Sequence, residues 1–260
     1  MTHTQYFRLF MLLLFSVLSM NARGQSSLDS LEYSVGLKFS GSRSSGIFNR
    51  NSFAFGAEKH LHQGKWTFHN TLTYRYTEFN GIQLENNWYD LFSVFYYPNE
   101  KQNWYPVAFY HFDNNLLFRV NSRHRVGAAI GSVLLKKDHV FLRVGAGGGY
   151  EASRYNGDQF ANSDLGNSFR ENGLFLFRIN NDYTFFDSRF VLKLDLFYMK
   201  STKEILDFDI WFRPSLLYRI TERITLSANY DYRYEHVHLE ELPAANDILL
   251  YGLNIKFANP

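Results

Sequence analysis

The sequence contains no cysteine. That excludes a disulfide scaffold, a thiolate metal site and a lipid anchor on an N-terminal cysteine. Charge of one sign is also missing. The net charge is +2 over 260 residues, with Lys and Arg scattered among Asp and Glu, so there is no basic footprint for nucleic acid. Beyond Gln25 no unbroken apolar run approaches the roughly 20 residues that a membrane helix needs. A mature chain that inhabits a membrane must therefore cross it as strands. Proline is scarce, at 5 residues, whereas Phe (26) and Tyr (18) are abundant, a balance that suits an aromatic-girdled sheet.

The N-terminus reads as an export signal. Arg8 supplies the positive end, Leu9 to Val17 a short apolar core, and Ala22-Arg23-Gly24 small residues at signal-peptidase spacing, so cleavage is expected before Gln25. The apolar run is too short for a membrane helix and is followed by Asn21 and Arg23. Residues 1–24 are thus expected to be a signal peptide and 25–260 a single domain.

What fills that domain is period-two alternation. Leu31, Tyr33, Val35, Leu37 and Phe39 alternate with Glu32, Ser34, Gly36, Lys38 and Ser40. Trp66, Phe68, Leu72, Tyr74 and Tyr76 oppose Thr67, His69, Thr71, Thr73, Arg75 and Thr77. The same pattern recurs to Leu249, Tyr251, Leu253, Ile255 and Phe257, which face away from Leu250, Gly252, Asn254 and Lys256. A terminal alternating strand ending in an aromatic residue is how outer-membrane barrels close, with one row toward lipid and the other toward the lumen. About twelve strands are expected, an even number as a single-chain barrel requires. Short links, such as those near Gln63, Lys136 to Asp138 and Thr221 to Arg223, alternate with longer ones at 41–50, 80–86, 113–122, 151–168 and 236–246. That sorting fits a rim of tight periplasmic turns and a rim of external loops. Pro214 falls in mid-strand and implies a bulge or a locally wet wall.

The face opposite the apolar rows carries the charge. Lys38, Glu58, Arg75, Arg143, Arg178, Lys193, Asp195, Asp209, Arg213, Asp231, Arg233 and Lys256 share the inward parity and are the candidate lumen-lining residues. Turned to lipid at mid-membrane, each Arg or Lys would cost about 2–4 kcal/mol, which makes the assignment of faces hard to invert. Twelve strands enclose more than a side-chain-filled eight-stranded barrel and less than a porin channel, so these charges either line a narrow pore or block it. Trp66, Tyr74, Tyr76, Tyr230 and Tyr234 are expected to anchor the barrel at the two interfaces. A soluble sandwich or ligand-binding barrel is the alternative reading of the same strands.

The small-residue strand Val144-Gly145-Ala146-Gly147-Gly148-Gly149-Tyr150-Glu151, the strand opened by Phe169-Arg170-Glu171-Asn172-Gly173-Leu174 and the closing Leu249 to Phe257 carry a resemblance. Over its mature length the chain resembles a domain-of-unknown-function family of outer-membrane barrels often labelled salt-induced outer membrane proteins. The resemblance implies a location in the cell outer membrane and a barrel fold, and offers no substrate or catalytic residue. Ala258-Asn259-Pro260, trailing Phe257, departs from the usual barrel ending.

Signs of chemistry are few. His236 and His238 flank Val237 beside Glu235, Glu240 and Glu241, a pair that could grip a metal and reads more simply as a solvated loop. A lipid-modifying enzyme at the external rim would need a nucleophile, a base and an orienting group, with His236 or His69 as the base. No serine falls at a spacing that singles it out. Gly145, Gly147 and Gly149 lie within a strand, where a phosphate loop does not form and where they instead let the wall curve or admit bulky neighbours. The expectation is an all-β, up-and-down transmembrane barrel, structural or a narrow small-solute or ion channel, with no catalytic, cofactor or metal site. Its expected partners are outer-membrane lipid and the barrel assembly machinery, which reads the C-terminal strand. Oligomeric state and solute are not legible.

Overall fold

The computed structural model describes residues 31–44, 50–98, 102–161, 168–186, 188–203, 207–240 and 242–258. The expected signal peptide and the final two residues of the tail lie outside them. The strands are β1 (Leu31–Ser44), β2 (Arg50–Gln63), β3 (Trp66–Phe79), β4 (Ile82–Tyr96), β5 (Trp104–Asn115), β6 (Val120–Lys137), β7 (Val140–Tyr155), β8 (Phe160–Ala161), β9 (Phe169–Phe185), β10 (Phe190–Ser201), β11 (Phe208–Phe212), β12 (Ser215–Arg219), β13 (Ile224–Glu235), β14 (His238–Leu239) and β15 (Ala245–Ala258). All but β8 and β14 form one antiparallel sheet, and β1 pairs with β15 from Ser34↔Ala258 to Gly41↔Tyr251. The sheet therefore has no open seam. Since β11 and β12 are two halves of one crossing, the wall is a closed twelve-strand barrel.

Closure follows from the alternation. With no water in hydrocarbon to satisfy edge groups, a sheet whose outer row is greasy must complete its ladder on itself. Most of these strands exceed the 9–11 residues or so that suffice to cross a bilayer at a tilt, and the surplus extends beyond one rim. At the other rim the turns are tight: Gly64, at φ 57°, closes β2 on β3, and Asp138-His139 closes β6 on β7.

The link between β3 and β4 is shorter than expected. In place of a loop over 80–86, Asn80 and Gly81 form a two-residue turn with φ 49° and 80°, the left-handed pair that a tight hairpin demands. Likewise β5 and β6 run on to Asn115 and from Val120, so the expected loop 113–122 shrinks to four residues. Buried inward residues of these strand ends are polar, Glu85 in one and Asp113 and Asn115 in the other, and interior polarity reads like loop polarity in a sequence.

Pro214 separates β11 from β12 without a bulge. Phe212 pairs with Tyr232 and Ser215 with Asn229, so the register carries straight through. The Pro214 carbonyl still accepts from the Tyr230 amide at 3.0 Å, and only the donor that proline lacks is lost.

Glycines on β6 and β7 shape the inner wall. A side chain at Gly127 would stand 2.8 Å from the Phe109 ring, and one at Gly131 would collide with the Tyr105 ring. Absence of side chains on one wall thus makes room for rings from the next strand. Over the long-loop rim, β8 pairs with β14, and Phe118, Val120, Tyr155, Phe160, Val237 and Leu239 bury one another as an apolar cap drawn from three links.

Candidate functional site

The lumen is the candidate site, and its residues come from the inner face of every strand. Contacts between strands that are not neighbours in the sheet identify that face, because such side chains can meet only through the interior. Arg75 on β3 reaches Asp231 on β13. Arg123 on β6 grips Glu235 on β13 with both guanidinium nitrogens, at 3.0 and 3.1 Å. Ladder register places all twelve sequence-derived candidates on the same face. They fall into two groups separated by an apolar layer.

The half nearer the long loops is packed shut with ionised side chains. Arg233 lies 3.3 Å from Asp113 and 2.7 Å from Glu235. Arg125 donates to Glu151 at 2.6 Å and to Asp209 at 2.7 Å. Arg170 pairs with Asp207, and Thr77 donates to Glu85. Arg123, Asp113 and Glu235 are no more than 2% exposed at the side chain. An isolated charge so buried would be prohibitive, and only mutual pairing permits it. Bidentate arginine geometry supplies that pairing together with several of the required hydrogen bonds. The network retains slack: Asp113 Oδ1 has no hydrogen bond and sits 3.9 Å from Arg125 Nη1.

Below it lies a layer of apolar side chains: Leu174, Leu176, Met199 and Trp211, with Phe109 and Phe197 packed against them. The Trp211 ring carries Arg233 at 4.6 Å and Arg125 at 5.2 Å from its centroid, so the layer is tied to the charged half by cation–π contact.

The half nearer the tight turns is wet. Arg178 and Arg213 converge on Asp195 at 2.8 and 2.7 Å, yet their side chains remain 41% and 39% exposed. Lys38 pairs with Glu58, and Lys193 stands 4.0 Å from Asp182. Arg143 donates to Asn180 and lies over Phe141. His60 and His69 stack with centroids 4.1 Å apart. With Lys256, the bases of this vestibule outnumber its acids, which gives it a positive potential.

The register also shows what the sequence reading passed over. Glu85, Asp113, Arg123, Arg125, Glu151, Arg170 and Glu235 form much of the buried network. Glu85, Asp113 and Glu151 lie on strands and not in the loops expected over 80–86, 113–122 and 151–168. The signal was present, since Arg123 and Arg125 continue the odd-numbered inner row of Gly127 and Gly131. Candidate catalytic histidines have ordinary surroundings: His69 meets Thr71 at 3.0 Å, and His238 Nδ1 meets the His236 carbonyl at 3.1 Å. Among the described residues no cluster of three His, Asp or Glu is arranged to hold a metal.

Solved structures share this architecture. The NanC porin superposes with a TM-score of 0.51 at 11% identity, covering 86% of this chain and 98% of its own. The translocator domain of the autotransporter NalP from Neisseria meningitidis gives 0.47 at 12% identity over 98% and 97% of the two chains. The KdgM porin gives 0.43 at 10% identity over 87% and 99%. At such identities the likeness is one of fold: a membrane-embedded β-barrel. No curated protein sequence matches the chain. The sequence model of one family covers residues 37–257 under a description that makes no mention of salt, and the chain accordingly belongs to the family described as Protein of unknown function, DUF481.

Proposed function

We propose that this protein is a barrel of the bacterial outer membrane whose lumen is a narrow ion or small-solute path held shut in the conformation described here. The tight-turn rim, where β1 begins and β15 ends, faces the periplasm, and the long-loop rim faces outward. One observation carries the reading: the inner half of the lumen keeps Lys38, Arg178, Lys193 and Arg213 hydrated, at 39–48% side-chain exposure. A barrel serving only as a wall has no need of a water-filled, charged vestibule. Among the described residues the seal above it, an apolar layer and then a paired charge network, is built from side chains of the strands themselves. Such a seal opens by side-chain and loop rearrangement. Residues 1–24 serve export, the closing strand β15 serves recognition by the assembly machinery, and the protein performs no catalysis.

Conductance in a planar bilayer tests this. The full-length mature protein is expected to be nearly silent. A variant combining Trp211→Ala, Arg123→Ala and Glu235→Ala, which removes the layer and its bridge together, is expected to pass a steady current. If that variant retains the barrel and stays silent, the lumen has no transport role. Envelope fractionation checks the location, with recovery in the inner-membrane or soluble fraction counting against it.

A further inference from the structure

The outer surface of the barrel is uneven. On β9, β10, β13 and β15 the outward positions include Phe177, Ile179, Leu194, Leu196, Leu226 and Leu253, the large apolar side chains that suit hydrocarbon, interrupted on β9 by Asn181 with no polar side chain beside it in the ladder, since its partners are Leu142 and Leu194. The wall made by β2 to β7 differs in two independent ways.

First, it carries polar side chains within the apolar band. Asn70 on β3 and Asp90 on β4 point outward with Leu72 and Phe92, opposite in parity to the buried inner residues Thr77 and Glu85. The Asn70 amide donates to Asp90 Oδ1 at 2.6 Å, and Lys59 is the ladder partner of Asn70 on β2. Asn70 is midway between Trp66 and Tyr74, and Asp90 falls between Tyr96 and Trp88, so all are bracketed by the aromatic residues that mark the membrane edges. Second, the neighbouring outward row is flat. Ala108, Ala128 and Gly148 align across β5, β6 and β7, and all three are exposed.

Lipid chains offer no hydrogen bonds, and a lysine on the lipid face costs about 2–4 kcal/mol near the midplane. Small residues in a membrane surface allow another backbone to approach closely. A polar group beside a smooth row therefore marks a protein contact. The group holds a base, an acid and an amide that both donates and accepts, so it is complementary to itself. That is the property a two-fold interface requires, since each residue set meets its own copy. A two-fold axis along the membrane normal also keeps both copies in one orientation and their polar residues at one depth.

We propose that the β2–β7 wall packs against the same wall of a second copy of this chain, enclosing Lys59, Asn70 and Asp90 in a dimer within the membrane. The inference is independent of whether the lumen conducts.

Because the chain has no cysteine, single cysteines report contacts without background. Asn70→Cys and Ala128→Cys, treated in native membranes with a short bifunctional maleimide, are expected to give a product of twice the monomer mass from at least one of the two. Leu194→Cys on the far wall is expected to give none. Light scattering of the wild-type protein in mild detergent is expected to show a dimer. Replacing both polar residues, Asn70→Leu with Asp90→Leu, is expected to leave a heat-modifiable barrel that is monomeric. A wild-type monomer with no crosslink from this wall overturns the proposal. So does an adduct of another mass, which would mean a different protein partner, equal crosslinking from Leu194→Cys, or a dimer that survives the double leucine variant.

Discussion

Arg123 and Glu235 show what a charge does when the barrel interior and not water surrounds it. Each is almost wholly buried, and each satisfies the other in a bidentate contact. Removing Arg123 leaves Glu235 with only one of its two arginines, Arg233, inside a buried network, so Arg123→Ala is expected to lower stability by about 3–5 kcal/mol. Replacing both with leucine is expected to cost far less than the two single alanine changes together, because no orphaned charge remains. Urea unfolding of the reconstituted barrel reads both. Lys193, half-exposed and 4.0 Å from Asp182, sets the contrast. Lys193→Ala is expected to stay within about 1 kcal/mol of wild type, as for exposed pairs generally. Parity in the sequence put Lys193 and Arg233 on the same face with no sign that one is wet and the other dry. Depth along the lumen decides that, and depth depends on which strands stand opposite each other.

Strands and turns were legible to differing degrees. Alternation marks most crossings, because a wall between lipid and lumen favours period two; it fades on β4, where Leu91 to Tyr96 puts apolar or aromatic side chains on both faces. Ends were harder, as at 80–86 and 113–122, where polar inward residues continue the strand while looking like loop. Two substitutions test the wall itself. Gly131→Val is expected to abolish folding into the compact, heat-modifiable form, since its side chain meets the Tyr105 ring. Tyr105→Ala in the same chain is expected to restore it, which separates a packing clash from a general intolerance of valine. At Pro214 the ladder is in register on both sides. Pro214→Ala therefore adds a donor where the partner strand already fits, and is expected to raise stability by about 0.5–1.5 kcal/mol, the ordinary worth of one hydrogen bond.

At the scale of the whole molecule, the lumen is a series of three resistances: a basic vestibule, an apolar layer and a paired network beneath an apolar cap. Once the second and third are removed, the first governs selectivity. The opened triple variant is expected to prefer chloride to potassium, read as the sign of the reversal potential in a salt gradient, because vestibule bases outnumber acids. A preference for potassium would contradict that charge balance. From its residues alone this chain determined an all-β class: no long apolar run beyond Gln25, no cysteine, and a recurrent alternation that fits a closed barrel in lipid. The number of crossings, the inward parity of its charges and the closing role of the last strand were equally local, since period two is written residue by residue. Only the tertiary structure decided that the half of the lumen nearer the long loops is sealed and the half nearer the tight turns is wet. Arg75 with Asp231, or Arg123 with Glu235, are brought together by barrel closure and strand stagger, and no pattern along the chain encodes which charges meet across an interior.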